Sequence, residues 1–250
     1  LSPESYMKKG TAILLLGTEV RYLVKARKEI FHTKEGGIDL GKIKKFGDKV
    51  TASRGAIFTA VEPTLFDRMK KTKRGPQIIL PKDAGLIITE TGIGPGSKVL
   101  DAGTGTGWMA SFLANIVGEK GRVVTYEKSK ANHKLSKENF KYLGLKVTSK
   151  YGNAYKDIKE KNYDLMVLDL AEPWRVKTIR NNLKPGGYVV AYLPQVSQVM
   201  EFTKFADKND FLVERVVELQ EREWAFKERI SRPKSQAIGH TAFLVFARRL

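Results

Sequence analysis

The sequence contains no cysteine in its 250 residues. Disulfide bonds, thiolate nucleophiles and cysteine-based zinc sites are therefore excluded, and this composition fits a reducing compartment such as the cytoplasm. Histidine is also scarce, because the chain has only His32, His133 and His240, which lie far apart. We therefore expect no metal site. No apolar run reaches the length of a membrane span, so we expect no membrane partner.

Acidic residues are few relative to basic ones. The chain has 45 Lys and Arg against 27 Asp and Glu, which gives a net charge of +18. Such an excess indicates a polyanionic partner, most simply a nucleic acid, although a merely solvated basic surface is the alternative. Residues 1–75 hold 17 basic and 8 acidic residues, so half of the net charge lies in under a third of the chain. The densest basic cluster, which we predict to contact RNA phosphates, consists of Arg68, Lys70, Lys71, Lys73 and Arg74.

The first quarter of the chain alternates short apolar runs with turn signals. This pattern predicts a small basic β-domain over residues 1–62, with four to six strands and a hairpin turn at Gly36-Gly37. Residues 63–97 are then expected to form a linker and a first helix, with Asp83 as its candidate N-cap.

Residues 98–250 alternate strand-like and helix-like patterns. Alternation of this kind predicts a parallel sheet with helices on both faces, and one of the expected helices covers 174–183. We count about seven strands, and the last two are expected to pair antiparallel across a long connection.

The stretch KVLDAGTGTG, residues 98–107, reads as a strand, a tight glycine turn and the start of a helix. Such a turn lets a ligand lie against bare backbone, and the helix start offers unpaired N–H groups. The spacing is Gly-x-Gly-x-Gly, which differs from the Gly-x-Gly-x-x-Gly of dinucleotide-binding folds. The residues of this stretch expected at the ligand are Asp101, Gly103, Thr104, Gly105, Thr106 and Gly107.

Polar residues follow three further predicted strands. Ligands of open α/β sheets bind at the carboxyl ends of the strands, so these residues are expected to converge. Glu127 ends the second strand, where a carboxylate can accept hydrogen bonds from ribose hydroxyls. Asn153 follows the third strand and offers an amide to an adenine edge, and Asp169 ends the fourth.

The glycine stretch resembles motif I of the class I S-adenosylmethionine (SAM) methyltransferases. Three further stretches, RGPQIILPKD (74–83), DLAEPW (169–174) and RP…GHTAFLVFARR (232–249), make the resemblance specific. Together they resemble the archaeal and bacterial tRNA (adenine-N1)-methyltransferases over nearly the whole chain. The resemblance implies a Rossmann-like fold with a seven-stranded, mostly parallel sheet behind a small β-domain. It also implies SAM as cofactor, tRNA as partner and a homotetramer.

The resemblance further implies the reaction, which is methylation of N1 of adenosine 58 in the T loop, with adenosine 57 as a second candidate target. Asp169 matches the catalytic aspartate of the family, Tyr192 matches a pocket tyrosine, and Gln77 borders the cofactor loop. The sequence departs from the family at Leu80, where relatives often have Tyr or His. We therefore expect the target base to stack on an apolar side chain or on a residue elsewhere, with Tyr192 favoured over Trp108 and Trp174. The side chain of His240 is expected to have a structural role.

Three other functions stay open. One is a class I methyltransferase with a different target nucleotide or a protein substrate. A second is a non-catalytic RNA-binding homologue, against which Asp169 and the complete set of loop glycines argue. The third is a nicotinamide oxidoreductase, which the glycine spacing disfavours.

Overall fold

The computed structural model describes residues 7–73, 75, 78–227, 230–236 and 238–250. Two of the residues expected at the site, Arg74 and Gln77, lie outside this set. The chain divides into two compact units, Leu1–Thr72 and Lys73–Leu250. Among the described residues, no helix combines the length and apolar character needed to cross a bilayer.

The N-terminal unit has a four-stranded antiparallel sheet, in the order β2-β1-β6-β5, and a hairpin of β3 and β4. Apolar side chains such as Ile13, Leu15 and Phe58 form its core. Its elements are β1 (Ala12–Leu16), β2 (Arg21–Lys25), β3 (Ile30–Thr33), β4 (Gly36–Asp39), a 3-10 turn (Leu40–Lys42), β5 (Lys49–Thr51), β6 (Ile57–Val61) and the short helix α1 (Leu65–Met69).

The expected hairpin is present, but its turn is not at Gly36-Gly37. Thr33 pairs with Gly36, so Lys34 and Glu35 make the turn and both glycines belong to β4. A side chain on Gly36 would overlap Ser53, and one on Gly37 would meet Ile30, so both glycines serve close packing. Gly36 also has a φ of 102°, which favours glycine directly after the turn.

The second unit is built on a seven-stranded sheet in the order β12-β15-β11-β10-β7-β8-β9. Five neighbouring strands, β11, β10, β7, β8 and β9, pair in parallel. β15 pairs antiparallel with both β11 and β12, so it runs against the other six strands of this sheet. A separate hairpin of β13 and β14 lies in the connection between the last two sheet strands. The strands are β7 (Lys98–Ala102), β8 (Arg122–Glu127), β9 (Thr148–Tyr151), β10 (Tyr163–Leu168), β11 (Leu183–Leu193), β12 (Phe211–Glu218), β13 (Trp224–Lys227), β14 (Ile230–Pro233) and β15 (Phe243–Arg249).

Alternate residues of the central strands face opposite sides of this sheet, as the two-residue period of a strand requires. Leu100 and Ala102 of β7 belong to one apolar core, and Val99 belongs to the other. The helices of this unit are α2 (Pro81–Thr91), α3 (Trp108–Val117), α4 (Lys130–Leu143), α5 (Ala154–Asp157), α6 (Ile179–Asn182) and α7 (Val196–Lys208).

Two helix boundaries differ from expectation. Helix α2 begins at Pro81, because proline is well suited to the first helical position, so Asp83 is not the N-cap but a buried residue of the first turn. The helix expected over 174–183 is wrong in extent. Pro173–Arg175 forms a 3-10 turn and only α6 is helical, since the β-branched and asparagine residues of this segment are weak helix formers.

The chain runs from β7 outward through β8 to β9, and then returns to β10 on the other side of β7. The strand order therefore reverses between β7 and β10. In open α/β sheets a ligand binds at such a reversal, at the carboxyl ends of the strands. The glycine loop follows β7 and Asp169 follows β10, so both lie at this point.

Candidate active site

The glycine loop after β7 takes a backbone conformation that favours glycine. Gly103, Gly105 and Gly107 have φ values of 95°, 53° and 87°. A Cβ on Gly103 would lie 2.1 Å from the carbonyl oxygen of Asp169, and one on Gly107 would lie 2.6 Å from the Phe140 ring. At Gly105 the nearest atom would be 4.0 Å away. Two of the glycines therefore serve packing, and the third leaves open space over bare backbone.

Glu127, at the end of β8, holds this loop. Its Oε2 accepts a hydrogen bond from the Gly105 backbone N–H at 2.9 Å, and its Oε1 accepts one from the Ser129 N–H at 2.7 Å. The side chain is only 7% exposed. Each carboxylate oxygen retains a second lone pair, so Glu127 can still accept hydrogen bonds from the hydroxyl groups of a ligand.

One cavity of about 210 Å³ collects residues from four strand ends. Of the residues expected at the site, the cavity is lined by Gly103, Gly105, Glu127, Asn153 and Asp169. Sequence reasoning missed Tyr126 and Tyr155, which also line it. The position of Tyr155, two residues beyond Asn153 at the same strand end, is a signal that could have identified it.

Asn153 is partly committed to its own loop. Its Oδ1 accepts a hydrogen bond from the Tyr155 N–H at 3.0 Å and caps α5, while its backbone N–H donates to Asp157 at 2.6 Å. The side-chain oxygen is thus already engaged, and a contact between the amide and an adenine edge stays a prediction.

Asp169 lies at the centre of the strand-order reversal. Its backbone N–H donates to the Ala102 carbonyl at 2.9 Å, which ties the end of β10 to the end of β7. Burial raises the pKa of its carboxyl group to about 6, and the negative charge of Glu127 adds to that effect. The carboxylate is consequently a better hydrogen-bond acceptor than an ordinary exposed aspartate.

Asp101 is buried within β7 and is not among the residues that line the cavity. Its Oδ2 accepts a hydrogen bond from the Thr125 hydroxyl at 2.6 Å, and the hydroxyl of Thr125 lies 2.5 Å from that of Thr104. Burial raises the pKa of Asp101 to about 7, and the charges of Asp169 and Glu127 act in the same direction. The contacts of Asp101 and Thr104 with Thr125 therefore attach the glycine loop to β8.

The last loop threonine is held by a residue that sequence reasoning missed. The Thr106 carbonyl accepts a hydrogen bond from Asn139 Nδ2 at 2.9 Å. The same amide group bonds the backbone of Lys73, with Nδ2 donating to its carbonyl at 3.0 Å and Oδ1 accepting from its N–H at 3.2 Å. Asn139 of α4 thus connects the backbone of Lys73 to the glycine loop.

Tyr192 is half-buried near the end of β11 and is not among the residues that line the 210 Å³ cavity. Burial raises its pKa to about 12, with the charge of Asp83 as a further cause, so the hydroxyl keeps its proton. Asp83 belongs to a buried polar group, in which Lys82 Nζ donates to Asp83 at 2.7 Å, to Thr241 at 2.8 Å and to the Leu219 carbonyl at 2.9 Å.

The alternative base contacts have other surroundings. Trp108 is 5% exposed and packs edge-on against Phe112, and Trp174 packs against the core of the sheet. Leu80 is the residue that precedes α2, and it borders a different groove. Stacking of the target base on Tyr192 stays a prediction.

The two ring nitrogens of His240 each face an oxygen acceptor. Its Nε2 lies 2.8 Å from the Pro194 carbonyl and its Nδ1 lies 2.5 Å from Glu218. Because both ring nitrogens face acceptors, the charged imidazolium is favoured and the pKa is raised, chiefly by Glu218. These bonds link the end of β11 to the end of β12.

The cations predicted to bind RNA differ in their contacts. Lys70 lies over the Phe66 ring, 4.3 Å from its centroid, and Lys71 is exposed. Lys73 pairs with Glu138 at 2.8 Å, and Arg68 is partly buried. Within the described ranges, no three His, Asp or Glu side chains are placed to hold a metal ion.

Comparison with known proteins places this site in a defined context. A tRNA (adenine(57)-N(1)/adenine(58)-N(1))-methyltransferase TrmI of Methanocaldococcus jannaschii is 34% identical, over 91% of each chain. A tRNA (adenine(58)-N(1))-methyltransferase TrmI of Thermus thermophilus is 36% identical, over 88% of this chain and 89% of its own.

The structure also resembles a crystal structure named as a SAM-dependent O-methyltransferase from Thermotoga maritima. The TM-score is 0.87 at 31% identity, over 98% of this chain and 95% of that one. The likeness confirms the methyltransferase fold expected from the sequence. Residues 63–230 match the family described as the tRNA methyltransferase complex GCD14 subunit. The chain therefore belongs to the GCD14 family of SAM-dependent tRNA methyltransferases.

Proposed function

We propose that this chain methylates N1 of adenosine 58 in the T loop of tRNA, with SAM as the methyl donor. One observation carries the proposal: the Asp169 carboxyl shares a cavity with Glu127 and the open backbone at Gly105, at the reversal of strand order. The TrmI relatives are named for methylation at N1 of adenine 58, and in one case also of adenine 57, which supports the position of the target.

The residues present fit the cofactor. The open backbone at Gly105 and the carboxylate of Glu127 would hold its amino-acid and ribose groups, and Asn153 would border its adenine. When bound, SAM supplies an electrophilic methyl group on a sulfonium centre. The loop is fixed in advance by the bonds of Glu127 and Asn139, so little order has to be created on binding.

In this proposal, Asp169 activates the target adenine. Adenine N1 becomes more nucleophilic when a carboxylate accepts a hydrogen bond from the neighbouring exocyclic amino group, and the same bond stabilises the positive charge of the product base. This role requires the ionised acid, which predominates above pH 6 because the pKa is about 6. N1 lies on the pairing edge, so the base must be unpaired and drawn into the site. Tyr192 would provide its stacking surface.

The test combines product analysis with one variant. Purified protein, SAM and a tRNA transcript should yield 1-methyladenosine at position 58, as read by nucleoside mass spectrometry. Asp169→Asn should retain SAM affinity and lower kcat by about 100-fold or more, while the exposed control Asp207→Asn leaves both unchanged. A methylated guanosine, or methyl groups on protein, would contradict the proposed substrate. Unaltered turnover of Asp169→Asn would remove Asp169 from the mechanism.

We also propose RNA contacts by the basic segment around Lys70 and Lys71, a homotetrameric assembly and action in the cytoplasm. The resemblance to the tRNA (adenine-N1)-methyltransferases supports the assembly. Light scattering on the purified protein should then give four times the chain mass of 28.1 kDa.

A further inference from the structure

We propose that a groove on the N-terminal unit binds the phosphate backbone of the substrate RNA. The groove encloses about 600 Å³. Its rim carries four cationic side chains, and its buried floor is apolar, formed by Ala26, Leu40 and Ile43. We call it the basic groove, and its rim cations are Lys9, Arg27, Lys28 and Lys44. The inference rests on the proposed function, because it takes tRNA as the ligand.

Backbone hydrogen bonds hold the three walls of the basic groove together. The wall at residues 7–11 is joined to the wall at 26–28 by the Gly10 N–H, which donates to the Ala26 carbonyl at 2.8 Å. It is also joined to the wall at 40–44, since the Met7 N–H donates to the Lys44 carbonyl at 2.9 Å. The rim cations are thus attached to backbone that is already held in place by hydrogen bonds.

The second and third walls approach closely at a glycine. A Cβ on Gly41 would lie 3.1 Å from Asp39 Oδ1 and 3.7 Å from the Lys28 Cα. Lys44 Nζ donates to the Gly41 carbonyl at 2.7 Å, which fixes one rim cation over this contact. The Gly41 backbone therefore lies next to Lys28, where the second and third walls meet.

The charges of the rim favour an anion. Among the residues that the structure describes, none that lines the basic groove is acidic, and Glu29, which pairs with Arg27, lies outside its lining. In the described part of the chain, neither Lys9 nor Lys28 makes an ion pair. A concave row of cations above apolar surface suits a polynucleotide strand, whose phosphates meet the rim while sugar or base surface covers the floor.

A charge-neutralising pair tests this assignment against a matched control. Lys9→Gln with Lys28→Gln removes two rim cations, and Lys34→Gln with Lys49→Gln removes two exposed cations of the same unit that do not line the groove. Both variants lose the same net charge. At 0.1 M salt, charges more than about 10 Å from the phosphates are largely screened, so only local contacts should differ.

We expect the groove variant to bind tRNA roughly ten-fold more weakly at 0.1 M salt. The plot of log association constant against log salt concentration should also become less steep, by about two in slope. Its KM for tRNA should rise with kcat unchanged, and the control should stay within about two-fold of the unaltered protein. Equal effects in both variants would overturn the inference. Thermal unfolding of both variants checks that each is folded.

A second measurement needs no variant. Lysine acylation followed by mass spectrometry should show Lys9 and Lys28 protected by bound tRNA, and Lys34 and Lys49 still reactive. Unprotected rim lysines under saturating tRNA would refute the groove. These experiments distinguish failure of the groove from failure of the proposed function. If the proposed function is wrong, the unaltered protein makes no 1-methyladenosine, and this result does not depend on the groove variants.

Discussion

Replacing Gly103 by alanine should damage the site more than its small size suggests. The added Cβ would lie 2.1 Å from the carbonyl oxygen of Asp169, a distance that real Cβ contacts do not reach. The φ of 95° is also a conformation that alanine adopts poorly. The best control is Gly144→Ala, because Gly144 has a φ of 71° but nothing within 4 Å of its missing Cβ.

The magnitude follows from the difference between these two glycines. The unfavourable φ alone costs about 1–2 kcal/mol, and this is all that Gly144→Ala should lose. At Gly103 the Asp169 backbone must in addition move by about 1 Å in a close-packed interior, which costs a further 1–3 kcal/mol. That movement strains the 2.9 Å hydrogen bond from the Asp169 N–H to the Ala102 carbonyl. We expect Gly103→Ala to lose roughly 2–5 kcal/mol in all, with a central value of about 3.5 kcal/mol.

Thermal unfolding and turnover provide the assay. About 1 kcal/mol corresponds to roughly 2–4 °C for a chain of this size, so Gly103→Ala should unfold about 10 °C lower and Gly144→Ala about 4 °C lower. Turnover should fall steeply in Gly103→Ala, measured well below its unfolding temperature, because Asp169 is displaced. Equal melting temperatures for the two variants, or normal turnover of Gly103→Ala, would refute the claim that this glycine positions Asp169.

Three further predictions follow from the hydrogen bonds and the raised pKa values. The kcat should fall as the pH drops below about 6, because Asp169 is then protonated. Glu127→Gln removes a charge that raises the Asp169 pKa, so this acidic limb of the pH–kcat profile should move to lower pH. An acidic limb at the same pH in the variant would contradict this. His240→Gln should lower the unfolding temperature more at pH 6 than at pH 9. A histidine whose pKa is raised by folding stabilises the fold below its pKa in the unfolded chain, and this benefit is lost as the pH rises through its pKa in the folded protein. A loss of stability that does not depend on pH would argue against a charged imidazole. Asn139→Ala should weaken SAM binding in calorimetry by loosening Thr106, and unchanged affinity would show that the loop holds itself.

Much of the catalytic unit could be predicted from short-range pattern. The glycine loop, Glu127 and Asp169 each stand at the end of an apolar run, and parallel strands bring such ends to one edge of a sheet. The seven-stranded sheet and its antiparallel last pair follow from the same alternation. These features depend on residues close together in the chain, which is why the sequence was informative about them.

The remaining features depend on contacts between distant residues. Asn139 bonds Lys73 across 66 positions, and Lys82 bonds Thr241 across 159, so neither contact has a local signature. Asp101 gives the clearest case. Its place in the motif predicts a ligand contact, but the strand period turns its side chain toward Thr125 and buries it.

The glycine loop and the candidate catalytic acid form one structural unit. β7 and β10 are hydrogen-bonded neighbours, so the residue after each strand must pass close to the other. At that crossing the Asp169 N–H bonds Ala102 and the Asp169 carbonyl lies against the bare Cα of Gly103. Any residue larger than glycine would displace the backbone that carries the carboxyl group. The first glycine of the loop is therefore required by the position of Asp169, and Gly105 is the one that leaves backbone open to a ligand.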